Sequence, residues 1–161
     1  MVGLLTEMPR ALWENITDMS VVTRQIRNEK EYKSIISNLE IQMFTERPHP
    51  LSVTGLSEGA AEAFYAELIG DIAAKGADKV LLLCPDEKTE TRLNNVLLSN
   101  GIRSMIYPYR DMVFHNIVAS REFEQERLKV LFSLITEEKC VVLATPDAAL
   151  QYTIPEKVLD G

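Results

Sequence analysis

The sequence predicts an α/β protein built on a parallel sheet, with helices layered on both faces. Three observations carry this. Two short segments, KVLLLC at 79–84 with an unbroken apolar run after its lysine and CVVLA at 140–144, have the length and the lack of alternation expected of strands covered on both faces. Amphipathic segments of helical period separate the short runs, and that strand-helix rhythm implies parallel pairing through right-handed crossovers. The chain has 161 residues, 46% hydrophobic and 25% charged, which is enough for one proper core and typical of a folded globular protein.

Residues 1–46 read as a helical extension. LTEMPRALWENI and EKEYKSIISNLEI place apolar residues at three- and four-residue steps and Pro9 interrupts the first; Trp13 and Ile16 read either as an i, i+3 pair that docks on the main body or as part of a frayed terminus. The punctuation RPHP at 47–50 then opens the α/β body, residues 47–154. Leu51–Thr54 reads as a short strand. Gly55 to Ser57 reads as a turn, with Ser57 placed to cap a helix whose inner face carries Ala60, Phe64, Leu68 and Ile72. After the strand Lys79–Cys84, Pro85-Asp86 starts a helix that buries Leu93, Val96 and Leu97 and stops at Asn100-Gly101, a left-handed cap. Arg103–Tyr107 is the next strand, and residues 108–119 are a long loop. A helix from Ser120 to Thr136 turns Phe123, Leu128, Leu131 and Ile135 inward. Cys140–Ala144 is the last strand, Thr145-Pro146-Asp147 opens a short helix, and residues 155–161 read as the start of a linker to a following domain.

Charge and cysteine content narrow the chemistry. A net charge of −7 offers no basic face for counterion release, so autonomous nucleic-acid binding is disfavoured. Cys84 and Cys140 lie far apart inside apolar runs and read as buried free thiols rather than metal ligands. The N-terminus lacks the pattern of a secretion signal and no apolar run reaches a membrane span; a cytoplasmic location is expected.

The segment LSVTGLSEGAAEAF, residues 51–64, has the outline of a phosphate-binding loop: strand, glycine turn, helix. Starting that pattern at Gly55 requires glycine, lysine and a hydroxyl residue at 60, 61 and 62, whereas Ala60, Ala61 and Glu62 stand there. The lysine for the β- and γ-phosphates and the hydroxyl for magnesium are both missing. Gly55, Gly59, Ala60, Ala61 and Glu62 therefore mark a degenerate loop, and Glu58 and Glu62 add negative charge where a phosphate would sit. No bound cofactor, metal or catalytic residue is expected. In LLLCPDE, Pro85 separates the acids from the strand, so Asp86 reads as a helix cap rather than a magnesium ligand. His49 and His115 read as surface or hydrogen-bonded histidines, and Arg121, Glu122, Glu124, Glu126 and Arg127 as a solvated, ion-paired helix face, with a partner surface as the functional alternative. The alternative reading is a nucleotide- or DNA-binding helicase-like half-domain in which Thr145-Pro146 meets a phosphate backbone. A response-regulator-like module fails for want of an acidic cluster, since Asp71 and Asp86 do not supply one.

The stretch YPYRDMVFHNIVASREFEQERLKVL, residues 107–131, resembles the N-terminal region of bacterial transcription-repair coupling factors, through Tyr107, Pro108, Asp111, Phe114, Ser120, Arg121, Glu126, Arg127 and Leu128. VTGLSEGAAEAF is similar to that family's decayed phosphate loop, LLLCPDEKTETRL to its strand-Pro-Asp segment, and VVLATPDAAL to its strand, Thr-Pro and helix step. The resemblance spans residues 50–154 and implies a degenerate helicase-like domain related to the first domain of the excision-repair protein UvrB. It further implies a much longer parent, an ATP-dependent DNA translocase whose separate motor uses ATP and magnesium, displaces stalled RNA polymerase and recruits UvrA, mainly through the following domain. This domain is then a non-catalytic scaffold in transcription-coupled nucleotide excision repair, in intramolecular contact with the rest of the parent, with no membrane partner.

Overall fold

The computed structural model describes residues 25–110 and 117–153. The chain forms two compact units, residues 1–75 and 76–161. Trp13, Ile16, Asp111, Phe114, His115 and residues 155–161 lie outside the described residues, so the N-terminal docking pair and the linker do too.

The first unit contains helices α1 (Lys30–Met43) and α2 (Glu58–Ala74). They meet through Tyr32, which is buried, packs edge-on against Phe64 with ring centroids 5.8 Å apart, and donates its hydroxyl to Asp71 Oδ2 at 2.7 Å. Burial and the neighbouring Asp71 carboxylate raise the Tyr32 pKa, so the phenol remains a donor. Arg27 pairs with Glu67 and Asp71, and Lys75 Nζ with Glu40 at 2.7 Å. Ala63, Phe64, Ala66 and Ile69 form the buried side of α2, whereas Ala60, Leu68 and Ile72 of the expected stripe are half-buried.

Residues 51–54 are not a strand. They join no ladder, and Leu51 and Val53 are exposed; an apolar alternation makes a strand only where a neighbouring strand takes up its N–H and C=O groups. Ser57 stands at the N-cap of α2, but its side chain makes no capping bond; its backbone carbonyl accepts from Ala60 and Ala61 instead.

The second unit is mixed α/β. Strands β1 (Lys79–Leu83), β2 (Ser104–Tyr107) and β3 (Cys140–Ala144) form a parallel sheet in the order β1-β3-β2, so the last strand in the chain is the central one. Helices α3 (Glu87–Ser99), α4 (Ile117–Thr136) and α5 (Pro146–Ala149) complete it. Pairing sets Leu81 and Met105 beside Val142, and Leu83 and Tyr107 beside Ala144, on one face. On that face Val130, Leu131 and Leu134 of α4 pack with Cys140, Val142, Ala144 and Tyr107. Ser104 points to the other face, where its hydroxyl donates to Asn94 Oδ1 of α3 at 2.7 Å. The two long helices thus flank the sheet on opposite sides, and all five residues of β3 are buried.

Helix α3 starts on Asp86, whose Oδ1 accepts from Thr89 N at 2.7 Å, and ends at Gly101 with φ +76°. Ile102 N bonds Leu97 O and Gly101 N bonds Leu98 O, the paired closure that only a left-handed residue allows. Leu93 and Leu97 are buried as expected, and Val96 is half-buried.

Three expectations fail in this unit. Helix α4 begins at Ile117, earlier than Ser120, so the expected loop 108–119 is shorter. Its inner stripe runs through Arg127, Val130, Leu131 and Leu134, while Phe123 is 41% exposed and Leu128 and Ile135 are half-buried. The sheet selects a stripe in phase with Val130, one step round the helix from the sequence pattern. Finally, β1 is not covered on both faces: Leu81 and Leu83 are 60% and 59% exposed, because β1 is an edge strand and α4 covers its neighbours.

Candidate cleft at the strand ends

The carboxyl ends of β1 and β3 open into a cleft of about 700 Å³, lined by Pro85, Asp86, Glu87, Lys88, Tyr109, Thr145 and Asp147. Ligands of parallel α/β proteins collect at this end of the sheet, where helices start and point their N–H groups outward. Here both helix starts are already occupied by the chain. Asp86 caps α3, and the hydrogen bonds from Thr89 hold its carboxyl below the usual carboxylate range. The Thr145 hydroxyl accepts from Ala148 N at 3.2 Å and caps α5, with Pro146 in the first turn. Thr145 is 8% exposed, and its hydroxyl is engaged in this cap.

The lining carries three carboxylates, Asp86, Glu87 and Asp147, against one ammonium, Lys88. Such a cleft repels phosphate and attracts cationic groups. In the first turn of α3, Glu90 is 4% exposed, and its Oε1 has no hydrogen-bond partner. Burial, reinforced by the nearby Glu87 charge, pushes its carboxyl up from the ordinary 4.5 to about 7. Cys84, buried and close to Glu90 and Asp86, is pushed up to about 11, first by burial and then by those two carboxylates. It is held as a thiol, the opposite of what nucleophilic chemistry needs. Cys140 is also a free, buried thiol, raised mainly by burial.

The residues of the degenerate phosphate loop are not arranged as a phosphate cradle. Gly55 takes φ +84°, but no strand precedes it. Gly59 is exposed, Ala60, Ala61 and Glu62 are half-buried in α2, and the Ala60 and Ala61 N–H groups are spent on Ser57 O. His49 is exposed, its backbone N–H bonded to Gln42 Oε1. Among the described residues no three His, Cys, Asp or Glu side chains stand together to hold a metal, and no helix is long and apolar enough to cross a membrane.

Arg127 departs from its expected place. Far from lying on a solvated face, it is 2% exposed, with its guanidinium 4.0 Å from the centroid of the Tyr107 ring. Its Nη1 donates to Pro108 O at 2.8 Å and to Gln151 Oε1 at 3.1 Å, with a longer contact to Ala148 O, whereas Nη2 is buried without a partner. Gln151 Oε1 also accepts from Arg110 N at 2.8 Å, and its Nε2 donates to Arg110 O at 2.9 Å. Arg110 is ion-paired with Glu124 of α4. The chain segments that leave β2 and α5 are thereby tied to each other and to α4. The signal lay in the helical phase: Arg127 shares the i+3, i+4 and i+7 stripe of Val130, Leu131 and Leu134. Glu124, Glu126 and Lys129 do form ion pairs at more accessible positions, as expected for part of that helix.

Comparison of the chain with protein-family models, curated proteins and solved structures finds no match.

Proposed function

We propose that the chain is a non-catalytic α/β domain, the N-terminal scaffold of a bacterial transcription-repair coupling factor. The observation that supports the non-catalytic half is the cleft: both helix starts at the strand ends are capped by Asp86 and Thr145, and carboxylates outnumber cations around them. The degenerate positions Ala60, Ala61 and Glu62 argue the same way. The assignment to the family rests on the resemblance over residues 50–154, centred on 107–131. Within that stretch Tyr107, Pro108 and Arg127 join in one buried arrangement, which gives those residue types a structural reason to occur together.

On this reading the domain supports a following UvrA-binding domain and helps hold the parent in an autoinhibited state, while the ATP- and magnesium-dependent motor, and the contacts with RNA polymerase and DNA, belong to other domains. The bacterial cytoplasm is its place of action. Two measurements test the proposal. A fluorescent ATP analogue titrated with Mg²⁺ is expected to show no binding; Mg²⁺-dependent micromolar binding overturns the non-catalytic reading. Purified UvrA is expected to bind the natural protein carried past Gly161 into the next domain but not the 161-residue chain. Failure of the longer protein to bind counts against the family assignment, and strong binding by the short chain relocates the contact surface.

A further inference from the structure

We propose that the surface formed by Tyr109, Leu150 and Tyr152 is a docking site for a protein segment that is apolar at its centre and basic at its rim. Leu150 is 85% exposed, Tyr152 95% and Tyr109 40%. Single exposed apolar side chains are ordinary on protein surfaces, and these would mean little on a loose tail. They are not on one. Gln151, between Leu150 and Tyr152, is joined through both atoms of its amide to the backbone of Arg110, next to Tyr109, and its oxygen also takes a bond from the buried Arg127. Leu150 N bonds Pro146 O, and the Tyr107 hydroxyl reaches Thr153 Oγ1 at 3.3 Å. Two hydrogen-bonded segments therefore carry the three side chains on a tied backbone. A surface ordered in advance loses less entropy when a partner arrives, and tyrosine is among the residues on which such contacts concentrate.

Charge selects the partner. Tyr109 is shared with the cleft at the strand ends, and Asp147, three residues before Leu150, lies in its wall with Asp86 and Glu87. Tyr109 is thus set among carboxylates and Leu150 follows Asp147 by three positions, with Lys88 the one cation in the cleft lining. A lysine- or arginine-rimmed segment with one or two large apolar side chains is complementary to this surface in both respects; a phosphorylated segment or a nucleic acid is repelled.

The test uses the ¹⁵N-labelled 161-residue chain and three synthetic helical peptides: one of leucine and lysine, a twin with glutamate for lysine, and a twin with serine for leucine. The leucine-lysine peptide is expected to bind and to shift the amide signals of Tyr109, Asp147, Gln151 and Tyr152. The double substitution Leu150→Ser with Tyr152→Ser, at side chains that carry none of the fold, is expected to weaken binding by at least about tenfold. Asp147→Lys is expected to weaken it as well, and Leu81→Ser with Leu83→Ser, on the bare side of β1, to leave it unchanged. The proposal is overturned if no peptide binds, if either twin binds as tightly as the first, if the shifts map to β1, or if the Leu150 and Tyr152 double variant binds undiminished.

Discussion

Arg127 and Glu90 are two charged-type residues buried in one small unit, each with one unpartnered polar atom, and they differ in what the remaining atoms meet. Arg127 gives Nη1 to two acceptors in good geometry and its face to Tyr107, so its removal takes the guanidinium donor from Pro108 O and one of two donors from Gln151 Oε1, which keeps Arg110 N. Arg127→Leu is expected to destabilise the fold by about 3 kcal/mol, read as a fall in the urea midpoint. Arg127→Lys should recover little of this, because a single ammonium cannot reproduce the planar fork stacked on the ring. Glu90 has one carboxyl oxygen with no partner, and its pKa near 7 exceeds that of the unfolded chain, near 4.5. The folded state therefore holds the proton more tightly. This group's contribution is full below pH 4.5 and is lost as pH rises through 7. Glu90→Gln should be more stable than the natural protein at pH 8, on the order of 2 kcal/mol, and the difference should vanish near pH 4.5. Urea titrations at the two pH values measure both. The raised thiol pKa of Cys84 leads to a further expectation: at pH 8, a thiol reagent should react far more slowly with the native chain than with the urea-unfolded one.

Helix boundaries follow local chemistry where the side chains make the expected bonds. Asp86 and Thr145 cap α3 and α5 as their sequence positions predict, and Asn100-Gly101 closes α3. Ser57 has the same sequence credentials and makes no side-chain bond. Ser57→Ala should accordingly change stability by less than about 0.5 kcal/mol, against about 1 kcal/mol for a working cap. In the sheet, the contrast lies between β3, buried along its whole length, and β1, with two leucines in solvent on one side. Leu143→Ala should cost about 3 kcal/mol through the cavity it leaves. Leu81→Ser should cost far less, and chemical denaturation of the two variants side by side measures the difference.

Across the chain, the phosphate-loop outline and the sheet are separate facts. The outline fails in its residues, Ala60, Ala61 and Glu62, and in its geometry, because residues 51–54 join no ladder. Restoring one residue is not enough. Ala61→Lys is expected to leave ATP binding undetectable by fluorescence titration, since the hydroxyl for magnesium is still missing and Glu62 remains. The cleft at the strand ends likewise presents capped helix starts and acids, a surface suited to cationic groups.

Much of the architecture was legible without coordinates. The apolar runs at 80–83 and 140–144 read as strands from their length and their place between helical segments, Asp86, Thr145 and Gly101 punctuate the helices, and the alternation of elements implies parallel pairing. These are local properties, set by bonds between residues a few positions apart. The order β1-β3-β2 was not legible, because it depends on pairing between strands about sixty residues apart, and with it went the knowledge that β3 is central and β1 an edge. The same cause hid the cleft and the clamp. Pro85 to Lys88, Tyr109 and Asp147 share a wall, and Arg127 meets Tyr107, Pro108 and Gln151, through folding alone. Segments 107–110 and 148–151 lie some forty residues apart, and they come together because β2 and β3 are neighbours and end at the same level. Composition and spacing describe what each segment is; a buried arginine and an exposed leucine depend on what packs against them, which only the assembled sheet and helices specify.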